Sequence, residues 1–154
     1  MSLELPFEPI RWSDQMATGV ARIDEQHRFL VDTLRQANEK LLVEPSSVLL
    51  GDIAKDLLGY AIMHFETEEA LMRRHGYDAE YPEVAQAHVA QHRDFSHRVV
   101  ALCDQLREGR EVSRLEVLRF LNEWLRGHVL GIDQLLGDFL QQKMGDTGDP
   151  AQRG

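Results

Sequence analysis

The amino-acid sequence predicts an all-α protein: an up-down-up-down antiparallel four-helix bundle with an extended N-terminal arm. Three observations support this. Four long segments repeat apolar residues at helical spacing, short polar or glycine-proline breaks separate them, and no stretch alternates as a strand would. At 154 residues the chain fits one domain with a single sizeable core.

Each segment carries its own signals. The first runs from about Ala21 to Leu42, with Ile23, His27, Leu30, Leu34, Ala37 and Leu41 on one stripe, and Glu44-Pro45-Ser46 breaks it. The second, about Ser47 to His75, aligns Leu50, Ile53, Leu57, Ala61, His64, Glu68 and Met72. Gly76 to Pro82 ends it, and Pro82 suits the first position of the next helix. The third, about Glu83 to Arg107, aligns Ala85, His88, His92, Phe95, Val99, Leu102 and Leu106 and stops at Gly109. Ser113 and Glu116 form a capping-box pattern that starts the fourth. Its stripe holds Leu118, Leu121, Leu125, His128, Ile132, Leu135 and Phe139, and it ends near Gln142. The expected division is an arm over residues 1–20 packed on the bundle through Phe7, Ile10, Trp12 and Met16, a bundle over 21–142, and a flexible tail over 143–154.

Composition narrows the function. Hydrophobic residues make up 43% and charged residues 28%, an ordinary globular balance. A net charge of -9 disfavours nucleic acid and anionic membrane surfaces as partners. No run approaches the ~20 apolar residues that span a bilayer. Cys103 is the only cysteine, so no internal disulfide forms, and with no signal-peptide pattern the expectation is a cytoplasmic protein.

Five histidines and a glutamate interrupt the apolar stripes, and a buried imidazole or carboxylate needs a hydrogen bond, a counter-charge or a metal. His64 and Glu68 are four apart, as are His88 and His92. That spacing rotates the second residue by only about 40° and raises it about 6 Å, so each pair aims at one point inside the bundle. His27 adds a donor from the first helix, and His128 and Asp133 add two from the fourth. The offset of five is awkward, because on an ideal helix it places Asp133 about 140° from His128. A locally widened turn repairs it, and Gly131 lies where such a distortion is least costly.

Singly, each of these residues has an ordinary reading: a surface histidine pair, a core histidine bonded to a carbonyl, a solvated aspartate. Together they draw on all four helices, and the histidines all fall on apolar stripes. Five imidazoles and two carboxylates exceed the needs of one ion and suit two bridged by the carboxylates. Zinc prefers four ligands in a tetrahedron and calcium or magnesium mainly oxygen, whereas imidazole with carboxylate suits iron or manganese. Iron is the better choice if the function is oxygen chemistry.

At these residues the sequence resembles the hemerythrin family, and within it the single-domain bacterial hemerythrins. The resemblance covers roughly Trp12 to Leu140 and is carried by Ile23-Asp24-Glu25-Gln26-His27, His64-Phe65-Glu66-Thr67-Glu68-Glu69, the His88 and His92 pair, and His128 with Asp133. It implies a di-iron centre with an oxo or hydroxo bridge that binds dioxygen reversibly. His88, His92 and His128 would hold one iron, His27 and His64 the other, and Glu68 and Asp133 would bridge both, leaving an open position on the second. Ferritin-like di-iron sites use four glutamates and two histidines. With only two anionic ligands, cleavage of the O–O bond should be disfavoured and release of intact dioxygen favoured. Around the open iron, Phe65, Trp124, Leu125 and Val129, each within a turn of a ligand, are expected either to form a dry oxygen pocket or to be plain core. Glu69 is expected to face out or to bond a histidine's second nitrogen, and His75 and His97 to be solvated. The resemblance favours an oxygen carrier or store, monomeric and not an enzyme. Sensing through a partner, or turnover of peroxide, nitric oxide or ferrous iron, are the competing classes.

Overall fold

The computed structural model describes residues 5–44 and 46–147, with only the backbone of 145–147. Six α-helices occur among the described residues: α1 (Ala21–Val43), α2 (Ser47–His75), α3 (Tyr77–Glu80), α4 (Pro82–Arg107), α5 (Arg114–Leu130) and α6 (Ile132–Thr147). No strand occurs among them. α1 packs on α2 and α5, α2 packs on α4, and α6 continues α5 against α2, which makes the four-helix bundle. Pro45 lies outside the described residues, as do residues 1–4 of the arm and 148–154 of the expected tail.

The helix ends follow local chemistry. The Ser46 hydroxyl accepts the Leu49 N–H and the Ser113 hydroxyl accepts the Glu116 N–H, so two free donors at helix starts are satisfied. Gly76 ends α2 at φ 78°, in the left-handed region where a side chain would be strained. The chain then makes the short helix α3, whose Tyr77 is buried with its ring 4.9 Å from that of Phe139. Pro82 takes the first position of α4.

Two apolar clusters fill the bundle. One gathers Ile10, Met16, Leu30, Leu34, Leu57, Ala61, Phe65, Phe95, Leu121, Leu125 and others. The second gathers Val20, Ile23, Met72, Tyr77, Ala85, Leu136, Phe139, Leu140 and Met144. Along each helix, the polar residues of the stripe lie between members of the two clusters: His27 between Ile23 and Leu30, His64 and Glu68 between Ala61 and Met72, His88 and His92 between Ala85 and Phe95.

Three expectations are corrected. The fourth helix is not continuous but divides at Gly131 into α5 and α6. Leu135, expected on the stripe, is 54% exposed, and Leu136 is buried in its place, because the break shifts the register just after it by one residue, while Phe139 is buried as expected. Helix also continues past Gln142 to Thr147, where a flexible tail was expected from residue 143, because Met144 is buried in the second cluster.

The arm lies on the bundle and includes a short 3-10 turn at Asp14–Met16. Ile10 and Met16 are buried, and Phe7 and Trp12 half-buried. A buried pair of amides holds it. Asn38 and Asn122 exchange hydrogen bonds of 2.9 Å, and Asn122 Oδ1 also accepts the Ile10 N–H at 2.9 Å. Arg119 and Arg126 reach the carbonyls of Pro6 and Glu8. Nearer the bundle, Asp24 accepts from the Thr18 N–H and hydroxyl at 2.7 Å, and the Gln141 amide donates to the Thr18 carbonyl.

Asn122→Ala leaves both the Ile10 N–H and the Asn38 amide without their buried partner, and should destabilise the protein by about 1–3 kcal/mol. Urea unfolding monitored by circular dichroism measures this. A loss below about 0.5 kcal/mol would show that the arm is not held through this pair.

Candidate metal centre

The seven residues singled out in the sequence meet in one layer between the apolar clusters. His27, His64, Glu68, His88, His92, His128 and Asp133 are all buried, with exposures from 0% to 3%. Their ligand atoms fall into two groups, each gathered within 4.8 Å: Glu68, His88, His92, His128 and Asp133 in one, His27, His64, Glu68 and Asp133 in the other. Both carboxylates belong to both groups. Asp133 divides its oxygens, with Oδ1 lying 2.8 Å from His88 Nε2 and 3.1 Å from His128 Nε2, and Oδ2 2.9 Å from His27 Nε2. Glu68 Oε1 lies 3.1 Å from His64 Nε2 and 3.2 Å from His92 Nε2.

The break at Gly131 produces this geometry. Five positions apart, His128 and Asp133 would diverge on a continuous helix, yet their side chains approach to 3.1 Å. A Cβ on Gly131 would stand 2.6 Å from the Gly127 carbonyl oxygen, so the turn closes too tightly for any other residue. Where a widened turn was expected the helix is broken, at the same glycine, and Asp133 faces inward with 0% exposure.

The donor set fits a metal pair. The Nε2 atoms of all five histidines and all four carboxylate oxygens of Glu68 and Asp133 are buried without a hydrogen-bond partner. The approaches of 2.8–3.2 Å between them lack hydrogen-bond geometry. Each such atom would cost about 1–3 kcal/mol if left alone, and their convergence on two points is what two cations would satisfy.

Three rings are oriented from behind. His64 Nδ1 lies 2.7 Å from Gln26 Oε1, His128 Nδ1 2.7 Å from Gln91 Oε1, and His92 Nδ1 2.9 Å from Glu69 Oε2. Gln26 is itself held by its Nε2 donating to the Thr67 hydroxyl, which turns its oxygen towards His64. An acceptor at Nδ1 places the ring proton there and leaves the Nε2 lone pair facing the centre. Of these partners the sequence reading anticipated only Glu69. Gln26 and Gln91 each immediately precede a histidine of the polar layer but serve a ring on another helix, so no local pattern marks them. His97 is exposed as expected, whereas His75 is half-buried, with its Nε2 buried and unpartnered.

Burial works against a charged imidazole and towards a neutral carboxylic acid. At His27, His88 and His128 the carboxylates of Asp133 and Glu68 outweigh it and the imidazoles are raised, His128 to about 10. Burial and the neighbouring Glu68 push Asp133 upward, but His128 and His27 outweigh both and hold it below the ordinary carboxylate range. Glu68 is likewise lowered, where burial is outweighed by His64, His128 and His88.

Aromatic rings close one side. Phe65 stacks on His92 at 4.0 Å and Trp124 on His128 at 4.6 Å, both against the three-histidine group. Phe65, Trp124 and Leu125 also line an apolar cavity of about 10 Å³ with Leu30, Ala61 and Leu121, room for about one water-sized sphere. Val129 is buried in the first cluster but is not among the residues lining this cavity.

A four-helix bundle whose core layer offers five imidazoles and two shared carboxylates to two points defines a class, the non-heme proteins with a paired metal centre. Residues 18–140 match the family model described as the hemerythrin HHE cation binding domain, and the chain belongs to that family. It is 30% identical over 146 residues to a bacteriohemerythrin of Stenotrophomonas maltophilia (strain R551-3), covering 93% of this chain and 89% of that one. A bacteriohemerythrin of Methylococcus capsulatus (strain Bath) is 28% identical over 130 residues, covering 82% and 92%. The wild-type crystal structure of a hemerythrin superposes with a TM-score of 0.75 at 25% identity, covering 86% of this chain and 98% of that one. The chain is accordingly a di-iron, oxygen-binding protein of the hemerythrin family.

Two predictions follow from this geometry. A proton and a metal compete for the Nε2 of His27, His88 and His128, so iron uptake by the stripped protein should release protons, and apparent affinity should climb with pH up to about 10, the His128 value. The expected slope is about tenfold per unit for each proton displaced. Ferrous titrations at several pH values measure it, and an affinity independent of pH between 7 and 9 would contradict the charge state described. Gly131→Ala forces a Cβ against the Gly127 carbonyl and should lower stability by about 1–3 kcal/mol. An unchanged urea midpoint would mean that the break tolerates a side chain.

Proposed function

We propose that this protein carries or stores dioxygen reversibly, without turning it over, at a di-iron centre held by the seven buried residues. His88, His92 and His128 would hold one iron and His27 and His64 the other, with Glu68 and Asp133, which belong to both groups, shared between them. The observation that carries this is the unequal division of donors around two shared carboxylates, five residues in one group and four in the other. The group with His27 and His64 has one ligand fewer, and its iron is the one left open to dioxygen. When bound, the iron pair supplies dioxygen with two electrons and recovers them on release.

The surrounding residues account for reversibility. Glu68 and Asp133 are the only anionic ligands, which gives little stabilisation to the high-valent iron that O–O cleavage requires. Gln26, Gln91 and Glu69 hold three imidazoles in the ligating tautomer, so little reorganisation accompanies the change of iron charge. Phe65, Trp124 and Leu125 present only apolar surface to the cavity beside the site, which keeps water and protons from the centre and slows irreversible oxidation. Among the described residues no helix is long and apolar enough to cross a membrane. We place the protein in the cytoplasm as a monomer. Its one cysteine, Cys103, suits a reducing compartment, and burial together with the neighbouring Asp104 pushes its thiol up, which makes it unreactive.

The deciding experiment is anaerobic reduction of the iron-loaded protein followed by optical spectra through cycles of oxygen and vacuum. A charge-transfer band that comes with oxygen and fades without it is the expected result, and immediate irreversible conversion to a ferric spectrum would refute carriage. His64→Ala should abolish the reversible band while retaining some iron, and normal oxygenation by this variant would refute the ligand assignment. Trp124→Ala should speed autoxidation, and an unchanged rate would return Trp124 to the role of core residue.

A further inference from the structure

The break at Gly131 is braced by a residue outside the ligand set. Gln134, half-buried on the first turn of α6, donates its Nε2 to the carbonyl oxygen of Val129 at 2.9 Å and to that of Met16 at 3.3 Å. Its own N–H closes the turn onto the Gly131 carbonyl at 3.0 Å. The last carbonyls of a helix lack donors from within it, and Gln134 supplies one to the final turn of α5. Its other acceptor ends the 3-10 turn of the arm, where Met16 is buried in the first apolar cluster.

We propose that Gln134 is a positioning residue of the di-iron centre: it sets the register in which Asp133 bridges the two ligand groups, and it ties that register to the N-terminal arm. The inference rests on the reading of Asp133 as a bridging ligand. Asp133 has little latitude, since its two oxygens must serve His88 and His128 on one side and His27 on the other, all at 2.8–3.1 Å. Rotating α6 by one residue moves a side chain through about 100° and would carry the carboxylate out of the layer. Gly131 brings no side chain of its own to brace the break, and the buried Leu136 and Leu140 that anchor α6 lie further along it. Gln134 is the next residue after Asp133, and its three hydrogen bonds span the break from α6 to α5 and from α6 to the arm. An amide nitrogen carries two protons and so can serve both carbonyls at once. A carboxylate there would face two carbonyl oxygens with no proton to offer.

The test compares Gln134→Met, which keeps length without a donor, with Gln134→Glu, which keeps shape but repels both carbonyls. Gln134→Lys serves as the rescue because it restores donors. Arg119→Met is the control, since it cuts a different tie to the arm, at Pro6, away from the break. Three quantities are read: the thermal midpoint of the iron-stripped protein, anaerobic ferrous affinity and stoichiometry, and the charge-transfer spectrum of the diferric form. The Met and Glu variants should bind iron about 10- to 100-fold more weakly with altered charge-transfer bands, while Lys returns both towards wild type. Arg119→Met should retain wild-type affinity and bands even if its midpoint falls. If Gln134→Glu does not fold, Gln134→Met carries the comparison alone. Wild-type affinity and spectrum in Gln134→Met, or an equal loss in Arg119→Met, overturns the inference while leaving the di-iron reading intact. A wild-type protein that binds fewer than two irons overturns the di-iron reading and this inference with it.

Discussion

The structure depends on one electrostatic constraint: nine polar atoms of five histidines and two carboxylates are buried between two apolar clusters without a hydrogen-bond partner. Such a layer is unfavourable as a protein core, because each atom has lost its hydration and gained no hydrogen bond. The imidazoles and carboxylates partly neutralise each other. That mutual attraction outweighs burial: it raises His128 to about 10 and holds Asp133 and Glu68 low, so the layer is held as a set of opposed charges. Two cations in place of the protons resolve that opposition, which makes metal binding and stability two aspects of the same energy.

The bundle serves this layer by dividing the work among its helices. α1 supplies His27, α2 supplies His64 and Glu68, α4 supplies His88 and His92, α5 supplies His128 and α6 supplies Asp133. Because the donors come from separate helices, the layer also holds the helices together, and the clusters on either side keep water from it. Gln26, Gln91 and Glu69 then orient rings that they do not neighbour in the chain, each reaching across a helix interface. The stacking of Phe65 on His92 and Trp124 on His128 restrains two of the same rings from their faces. Five donor residues on one side and four on the other make the centre asymmetric.

The break at Gly131 and the arm belong to the same construction. An extra residue in the fourth helix turns Asp133 inward, and the same shift buries Leu136 and exposes Leu135. Gln134 links that break to Met16, while the Asn38 and Asn122 amides hold the arm further along at Ile10. The arm is therefore connected to the helix that carries His128 at several points rather than lying passively against it.

By itself the sequence determined three of the long helices and singled out the residues that gather in the buried polar layer. Apolar spacing marks α1, α2 and α4 to within a residue, because a face buried along its whole length must repeat every 3.6 residues. Six of the seven site residues were legible because ionisable groups on such a face conflict with the pattern around them, and Asp133, off the stripe, was reached only by supposing a distortion at Gly131. Tertiary structure alone decided the rest. Whether Leu135 or Leu136 faces the core depends on how the break rotates α6, a rotation set by contacts with α2 and the arm. The service of Gln26 to His64 and of Gln91 to His128 depends on how whole helices are turned against one another. Helix extends to Thr147 because Met144 finds a place in the second cluster. Periodicity reports which face of a helix is buried, but the partner that meets a given side chain is fixed only when the helices pack.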